Sequence, residues 1–365
     1  MAELATGPTA DDMPPAQSGS RIGPKIGPQN TAVLTLTYGD RIAFLDQVLA
    51  AVAAAGVARA FVLANGLSEA VAQNLAEVAG ARPDLDVQIV TAPENLGSAA
   101  GYARLLDRML QDPEIQAAWF LDDDNVPQPE ALSHLLDVVA AGPATAACAL
   151  RTDHTYMADA IRRGYALEPM RGEAFGVDIL KRPRRLLTRL RHRLARSGSG
   201  GGLTPATHVP YGGLLVPRDM VVRAGLPRTD FVLYMDDFEY SKRIAETGQI
   251  LLVPEALVDD VDVSWNATGA GQEAKKAPRS QTGKLVQMTP DFRMYYAVRN
   301  AIYLDFRRLT LLSAPLFAIN LTLLLGGTGA KALLAGRPGN AKALFDAVTD
   351  GLRGRLGRAA GYPLP

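Results

Sequence analysis

The sequence predicts an α/β fold: a mainly parallel sheet flanked by helices, with a helical C-terminal extension. Three observations predict it. Short apolar runs rich in β-branched residues alternate with amphipathic stretches between about residues 31 and 150, which is the pattern of repeated strand–helix–strand units. The spacers have the length of helical crossovers, and such crossovers are right-handed and make the joined strands parallel. Farther on, Leu309–Ala330 holds no charged residue.

Residues 1–30 carry Pro, Gly, Ser and Asn without periodicity and lack the apolar stretch of a secretory signal, so a disordered leader is expected. Strands are expected at Thr31–Thr37, Ala60–Ala64, Val87–Thr91 and Ala117–Leu121, and helices at Ile42–Ala55, Ser68–Val78 and Ser98–Leu110. In sheets of this kind ligands bind beyond the carboxyl ends of the strands. Residues 31–150 therefore read as one half of a site and residues 151–265 as the other, with an insertion at 180–202. Between Leu180 and Ser197 that insertion holds eight Lys or Arg and no acid, with Leu186, Leu187, Leu190 and Leu194 at helical spacing and a Ser-Gly-Ser-Gly-Gly-Gly run behind it. A basic amphipathic helix on a flexible hinge is expected, either solvated or set against a membrane surface or an anionic ligand.

The last hundred residues, 266–365, read as a helical tail. Phe292–Arg308 is an aromatic helix. Leu309–Ala330 is just long enough to cross a bilayer, yet it contains Pro315, Asn320 and glycines at 326, 327 and 329. Arg307, Arg308 and Lys331 flank it, so a helix lying in the interface of an anionic membrane is expected rather than a span. The soluble alternative is that it closes a core or a dimer interface.

Composition narrows the chemistry. Lys plus Arg and Asp plus Glu both total 38 in 365 residues, so no nucleic-acid partner is expected. Cys148 is the single cysteine, and the four histidines, at 134, 154, 192 and 208, show no metal-binding spacing. Any metal must lean on carboxylates, which favour Mg²⁺ or Mn²⁺.

Three motifs carry chemistry. The apolar run Trp119–Leu121 ends in Asp122-Asp123-Asp124, three like charges that cost stability unless water or a cation neutralises them. On an extended chain Asp122 and Asp124 face one side, suited to a divalent ion, and Asp123 faces the other; a plain polar turn after a strand fits equally. In Tyr234-Met-Asp236-Asp237-Phe-Glu239, Asp236 reads as a helix N-cap and Asp237 as a general base at the helix mouth. Finally, Glu94-Asn95-Leu96-Gly97-Ser98 opens a helix of small residues, where a ligand can approach backbone amides.

Together with Thr37-Tyr38-Gly39-Asp40-Arg41, Tyr211-Gly212-Gly213-Leu214-Leu215-Val216-Pro217-Arg218 and Tyr295-Tyr296-Ala297-Val298-Arg299-Asn300, these motifs resemble glycosyltransferase family 2 over about Thr31–Asp305. Within it they look most like the bacterial rhamnosyl- and galactofuranosyltransferase-like branch. The resemblance implies a GT-A, Rossmann-like fold and inverting transfer of a sugar from a nucleotide-diphosphate donor to a lipid-linked or cell-envelope polysaccharide acceptor. It implies that Asp122 and Asp124 hold Mn²⁺ or Mg²⁺ and that Asp237, beside Asp236, deprotonates the acceptor. Thr37, Tyr38, Asn65, Asn95, Gly97, Asp122 and Asp123 would line the donor, and Arg299 would meet the diphosphate or an anionic group of the acceptor. A cytoplasmic enzyme peripheral to the inner face of the membrane follows from the same likeness.

Two departures stand out. Ala64-Asn65-Gly66 ends the second strand where the family usually has an acid, and Val258-Asp259-Asp260-Val261-Asp262 lies where it has a metal-binding His, so either Asp260 is the third ligand, the preferred reading, or the metal keeps a water there. Trp265 is a candidate for stacking on a sugar. The absence of a Q-x-x-R-W motif and of several spanning helices argues against a processive synthase. A sugar nucleotidyltransferase and a non-catalytic binding protein of the same fold are the rival readings.

Overall fold

A computed structural model describes residues 25–152, 154–166, 168–195, 202–262 and 281–365. Most of the expected leader, most of the Ser-Gly hinge and Trp265 lie outside the described residues.

The first half is built as expected. Strands β1 (Thr31–Thr37), β2 (Arg59–Asn65) and β3 (Asp86–Ala92) alternate with helices α1 (Ile42–Ala54), α2 (Glu69–Gly80) and α3 (Gly97–Leu110), and β4 (Ala117–Phe120) follows. β1, β2 and β4 are buried almost throughout, as strands covered on both faces must be. The remaining elements of this layer are β5 (Asn125–Pro127), α4 (Ala131–Ala141), β6 (Thr145–Arg151), α5 (Thr155–Arg163), the basic helix α6 (Lys181–Ala195), β7 (Thr204–Ala206), β8 (Leu214–Pro217), α7 (Arg218–Ala224), α8 (Asp236–Thr247) and β9 (Gln249–Asp260). The sheet runs β3-β2-β1-β4-β8-β6-β9-β5, with β7 also on β9. β3, β2, β1 and β4 are mutually parallel, as are β6 and β9, whereas β8, β5 and β7 run against their neighbours. One apolar cluster packs on each face, centred on Phe120 and Tyr102 on one side and Trp119 and Leu45 on the other.

Most boundaries shift from expectation by only a residue or two, and two of the differences matter. Strand β4 stops at Phe120 rather than Leu121, because Asn125 N–H donates to the Asp122 carbonyl at 3.1 Å and its side chain accepts from Asp122 N–H, folding the acidic triplet into a turn. The three carboxylates are therefore not displayed on alternate sides of an extended chain. The apolar helix likewise begins at Ala314, after a turn over Leu309–Ser313, and extends past Lys331 to Leu334.

That helix, α11 (Ala314–Leu334), packs with α9 (Gln281–Gln287), α10 (Phe292–Arg307) and α12 (Pro338–Arg353) around a third apolar cluster. Its inward stripe is Phe317, Asn320, Leu324, Thr328 and Ala332, at helical spacing. Asn320 is fully buried; its side chain accepts from Ile179 N–H at 3.0 Å and donates to the Gly172 carbonyl at 2.7 Å. The helix is the one segment among the described residues long and apolar enough to cross a membrane.

Candidate active site

The chain runs from β1 outward to β2 and β3, then returns to place β4 on β1's other side. That reversal leaves a crevice beyond the carboxyl ends of β1 and β4, where open α/β sheets bind ligands. A cavity of about 390 Å³ lies there. Tyr38, Asn65, Asn95, Gly97, Asp122, Asp123 and Asp124 line it, as does Asp260 from the far side. Of the residues expected along the donor, Thr37 is buried at the end of β1 and does not line the cavity.

Register brings the two acidic segments together. β5 pairs with β9 so that Asn125 opposes Asp260, and Val261 N–H donates to the Asp124 carbonyl at 2.9 Å. Two arginines neutralise the result. Arg41 reaches Asp123 at 3.0 Å, Asp124 at 3.0 Å and Asp262 at 2.5 Å; Arg151, the last residue of β6, reaches Asp260 at 2.7 Å and Asp122 at 3.3 Å. Burial pushes the Asp124 carboxyl up to about 7, with repulsion from Asp122 and Asp123 adding and Arg41 opposing. Burial likewise raises Asp123 to about 6 against the pull of Arg41 and the Thr37 hydroxyl. Asp122 keeps its side chain 40% exposed, and the Tyr102 hydroxyl donates to it at 3.2 Å.

The donor set is all oxygen, which suits a hard cation. Among the described residues, however, no three His, Cys, Asp or Glu side chains are grouped closely enough to hold one. Asp260 in particular is spoken for: Arg151 and the Asn125 amide both bond its Oδ1, and His154 Nε2 stands 3.7 Å from Oδ2. Asp260 thus stands as counter-ion of Arg151, as Asp124 does of Arg41.

The second acidic pair arrives on α8. Met235, Tyr234 and Val232 have φ of 62°, 65° and 68°, the left-handed region that a β-branched residue such as Val232 rarely adopts. Helix α10 holds this backbone in place. The Asn300 amide donates to the carbonyls of Phe231, Leu233 and Tyr234 at 2.9, 2.9 and 2.8 Å, and Arg299 donates to Phe231 at 3.0 Å. Arg299 also bonds the Gly357 carbonyl and lies over the rings of Tyr295 and Tyr296. It is buried and does not line the cavity, so it braces this loop instead of meeting a diphosphate.

On the braced loop, Asp236 accepts from the Ser98 hydroxyl at 2.8 Å, and Ser98 and Tyr234 both line the cavity. Burial, then repulsion from Asp237, holds the Asp236 carboxyl well above the usual range. Burial pushes Asp237 up to about 7; Phe238 N–H and Arg151 oppose, and Asp122 adds repulsion. The two acidic segments thus sit within electrostatic reach of each other; Asp236 and Asp237 do not themselves line the cavity, and Asp236 meets it through Ser98. Asp236 makes no side-chain cap and is the first helical residue, so its expected N-cap role passes to Met235, whose backbone turns the chain.

Gly97 serves the same loop. Its φ is +76°, and a Cβ there would lie 2.1 Å from the Val232 carbonyl oxygen. Asn65 and Asn95 bond each other at 2.9 Å, and Asn65 Oδ1 accepts from Leu96 N–H at 2.7 Å, knitting the loops after β2 and β3.

Sequence reasoning missed Arg41, Arg151, His154, Asp262 and the chain end. Arg41 ends the Thr37–Arg41 motif and Arg151 directly follows a run of small apolar residues; neither pattern by itself assigns a role. Leu364 and Pro365 also line the cavity, brought there as Arg358 bonds Glu94 at 2.6 Å and Tyr362 stacks on Tyr295 with centroids 4.2 Å apart.

Residues 33–201 match the family model described as Glycosyl transferase family 2. Over that stretch, from β1 to the end of the basic insertion, the match supports the resemblance carried by the motifs. No curated protein matches the sequence. Among solved structures, a mannosyltransferase, PcManGT from Pyrobaculum calidifontis in complex with GDP-Man and Mn²⁺, is similar at 14% identity and a TM-score of 0.45, covering 90% of this chain and 89% of that one. GalNAc-T7 with UDP, GalNAc and Mn²⁺ is similar at 13% identity and a TM-score of 0.45, over 64% of this chain. This chain spans 44% of the length of GalNAc-T7.

Proposed function

We propose that this chain is an inverting family 2 glycosyltransferase, of the rhamnosyl- or galactofuranosyltransferase-like branch, that moves one sugar from a nucleotide-diphosphate donor to a lipid-linked or cell-envelope polysaccharide acceptor. The carrying observation is that Ser98, which lines the cavity of Asp122–Asp124 at the switch point of the sheet, donates to Asp236, while the adjacent Asp237 lies within electrostatic reach of Asp122.

Asp237 has the position and the raised affinity for protons of a general base working near neutral pH. It takes the proton of the acceptor hydroxyl as that oxygen attacks the anomeric carbon opposite the leaving diphosphate. Asp122 and Asp124 would hold the divalent cation, Mn²⁺ or Mg²⁺, together with the donor's phosphates. When bound, the cation stabilises negative charge on the leaving diphosphate. Arg41 and Arg151 bridge the carboxylates, offset their mutual repulsion and supply fixed positive charge at the same place.

The same reading places the protein on the inner face of the cytoplasmic membrane. Leu311 and Leu312 are 95% and 94% exposed, and Ile319 and Leu323 are exposed on the outer side of α11. Apolar side chains of that number on one helix and its leading turn suit burial in a lipid interface.

Incubation with a panel of nucleotide sugars and Mn²⁺ tests the activity. Release of nucleoside diphosphate supports a transferase; release of pyrophosphate from a sugar phosphate and a nucleoside triphosphate is the outcome for a nucleotidyltransferase, and neither reaction together with no nucleotide binding marks a binding protein.

A further inference from the structure

A second cavity, of about 680 Å³, lies across the α5 and α8 helix starts from the donor cavity. Tyr156 and Phe238 line it. Of their near neighbours, His154, whose ring centroid is 5.4 Å from that of Tyr156, lines the donor cavity, and Asp237 directly precedes Phe238. The proposed base is thus the chain neighbour of a residue that lines the second cavity and lies within electrostatic reach of Asp122, which lines the first.

The second cavity is basic. Arg163, Arg185 and Arg189 line it against one acid, Asp159. Asp159 is already paired with Arg162 and lies 3.6 Å from Arg163. Among the described residues Arg185 and Arg189 make no ion pair, and Arg163 Nε is buried without a hydrogen-bond partner. Burial, then Arg308, holds the lining His208 down to about 4, so it adds a polar edge and no charge.

Helix α6 is inverted relative to an ordinary amphipathic helix. Arg185 and Arg189, one turn apart, line the cavity, while Leu186, Leu187 and Leu190 are 58%, 56% and 44% exposed. Arg185 is half-buried and Arg189 exposed at the cavity's edge; a helix that leaves its leucines outward forgoes apolar burial, a cost that an anion on the arginines and lipid on the leucines would offset.

We infer that this cavity binds the phosphate or diphosphate group of the acceptor on Arg163, Arg185 and Arg189, and so presents the acceptor hydroxyl to Asp237. The inference rests on the transferase reading and adds the acceptor's anionic group to it. Calorimetric titration of the full chain with geranyl diphosphate, and separately with inorganic pyrophosphate, tests it in three forms: wild type, R185Q/R189Q, and R182Q. Arg182 lies on the same helix and does not line the cavity. The expected result is binding of geranyl diphosphate that weakens tenfold or more in R185Q/R189Q and holds in R182Q. Tighter binding of geranyl diphosphate than of pyrophosphate assigns a lipid-linked source, and equal binding of the two, lost in the same double variant, assigns a free diphosphate. No binding by the wild type, equal binding by wild type and double variant, or an equal loss in R182Q overturns the inference. A nucleoside diphosphate titrated into wild type with Mn²⁺ reports on the donor site separately, so failure of the transferase reading is read on its own.

Discussion

Asp237 carries its acidity at a cost to the fold. An unfolded aspartate releases its proton near pH 4, whereas burial keeps the folded one protonated until about pH 7. The folded state thus binds more protons than the unfolded state between those values, and stability falls as pH rises through that window. An acid unstable for its own fold is characteristic of a functional site. Two outcomes follow for Asp237→Asn. Turnover falls by about a hundredfold or more, the usual worth of a general base, and the melting temperature at pH 8 equals or exceeds that of the wild type. In the wild type, kcat/KM rises with pH through about 7, as the base loses its proton. A pH–rate profile paired with thermal melts of both proteins checks all three.

At the scale of elements, the site depends on how α10 holds the loop before α8. The side-chain amide of Asn300 satisfies three carbonyls of a backbone with three residues at positive φ. Asn300→Ala leaves the Leu233 and Tyr234 carbonyls without that donor, Phe231 keeping Arg299, at a cost of about 1–3 kcal/mol, and turnover is expected to drop more than donor affinity, since Asp236 and Asp237 move while the acidic turn does not. Gly97→Ala attacks the same loop from the other side. The left-handed backbone alone costs a non-glycine residue roughly 1–2 kcal/mol, and the added Cβ meets the Val232 carbonyl. Denaturant melts and separate measurement of KM and kcat test both substitutions. The bracing role was half legible. Helical periodicity buries Tyr295, Arg299 and Ile302 on one face, so an inward-facing Arg299 is readable from spacing. That its partners are backbone carbonyls of a loop nearly seventy residues earlier is not, because register between distant segments leaves no local trace.

For the whole molecule, local pattern and long-range pairing divide what the sequence discloses. The four expected strands lie within a residue of the observed ones because each β-branched or apolar run is bounded by polar turns, whether buried as in β1, β2 and β4 or largely open as in β3. The convergence of Asp122–Asp124 with Asp260 was guessed from family likeness alone; it depends on β5 pairing antiparallel with β9, and a three-residue strand has too little pattern to read. The tail was read for its apolar character, and its return to the donor cavity through Arg358, Tyr362 and Leu364 went unseen. Removing the chain after Arg308 would therefore strip a wall of the site and part of the core formed by α10 and α12. L311S/L312S is the cleaner test of membrane attachment, because both side chains are exposed. Sedimentation with anionic liposomes is expected to weaken severalfold, with the melting temperature unchanged.

Calorimetric titration of the nucleoside diphosphate released from the active donor, with and without Mn²⁺, into wild type, Asp124→Ala and Asp237→Asn puts the division of labour between the two acidic segments to the most direct test. Metal-dependent binding lost in Asp124→Ala and kept in Asp237→Asn is the expected result. Binding that ignores Mn²⁺ and survives Asp124→Ala, or that fails equally in both variants, contradicts it.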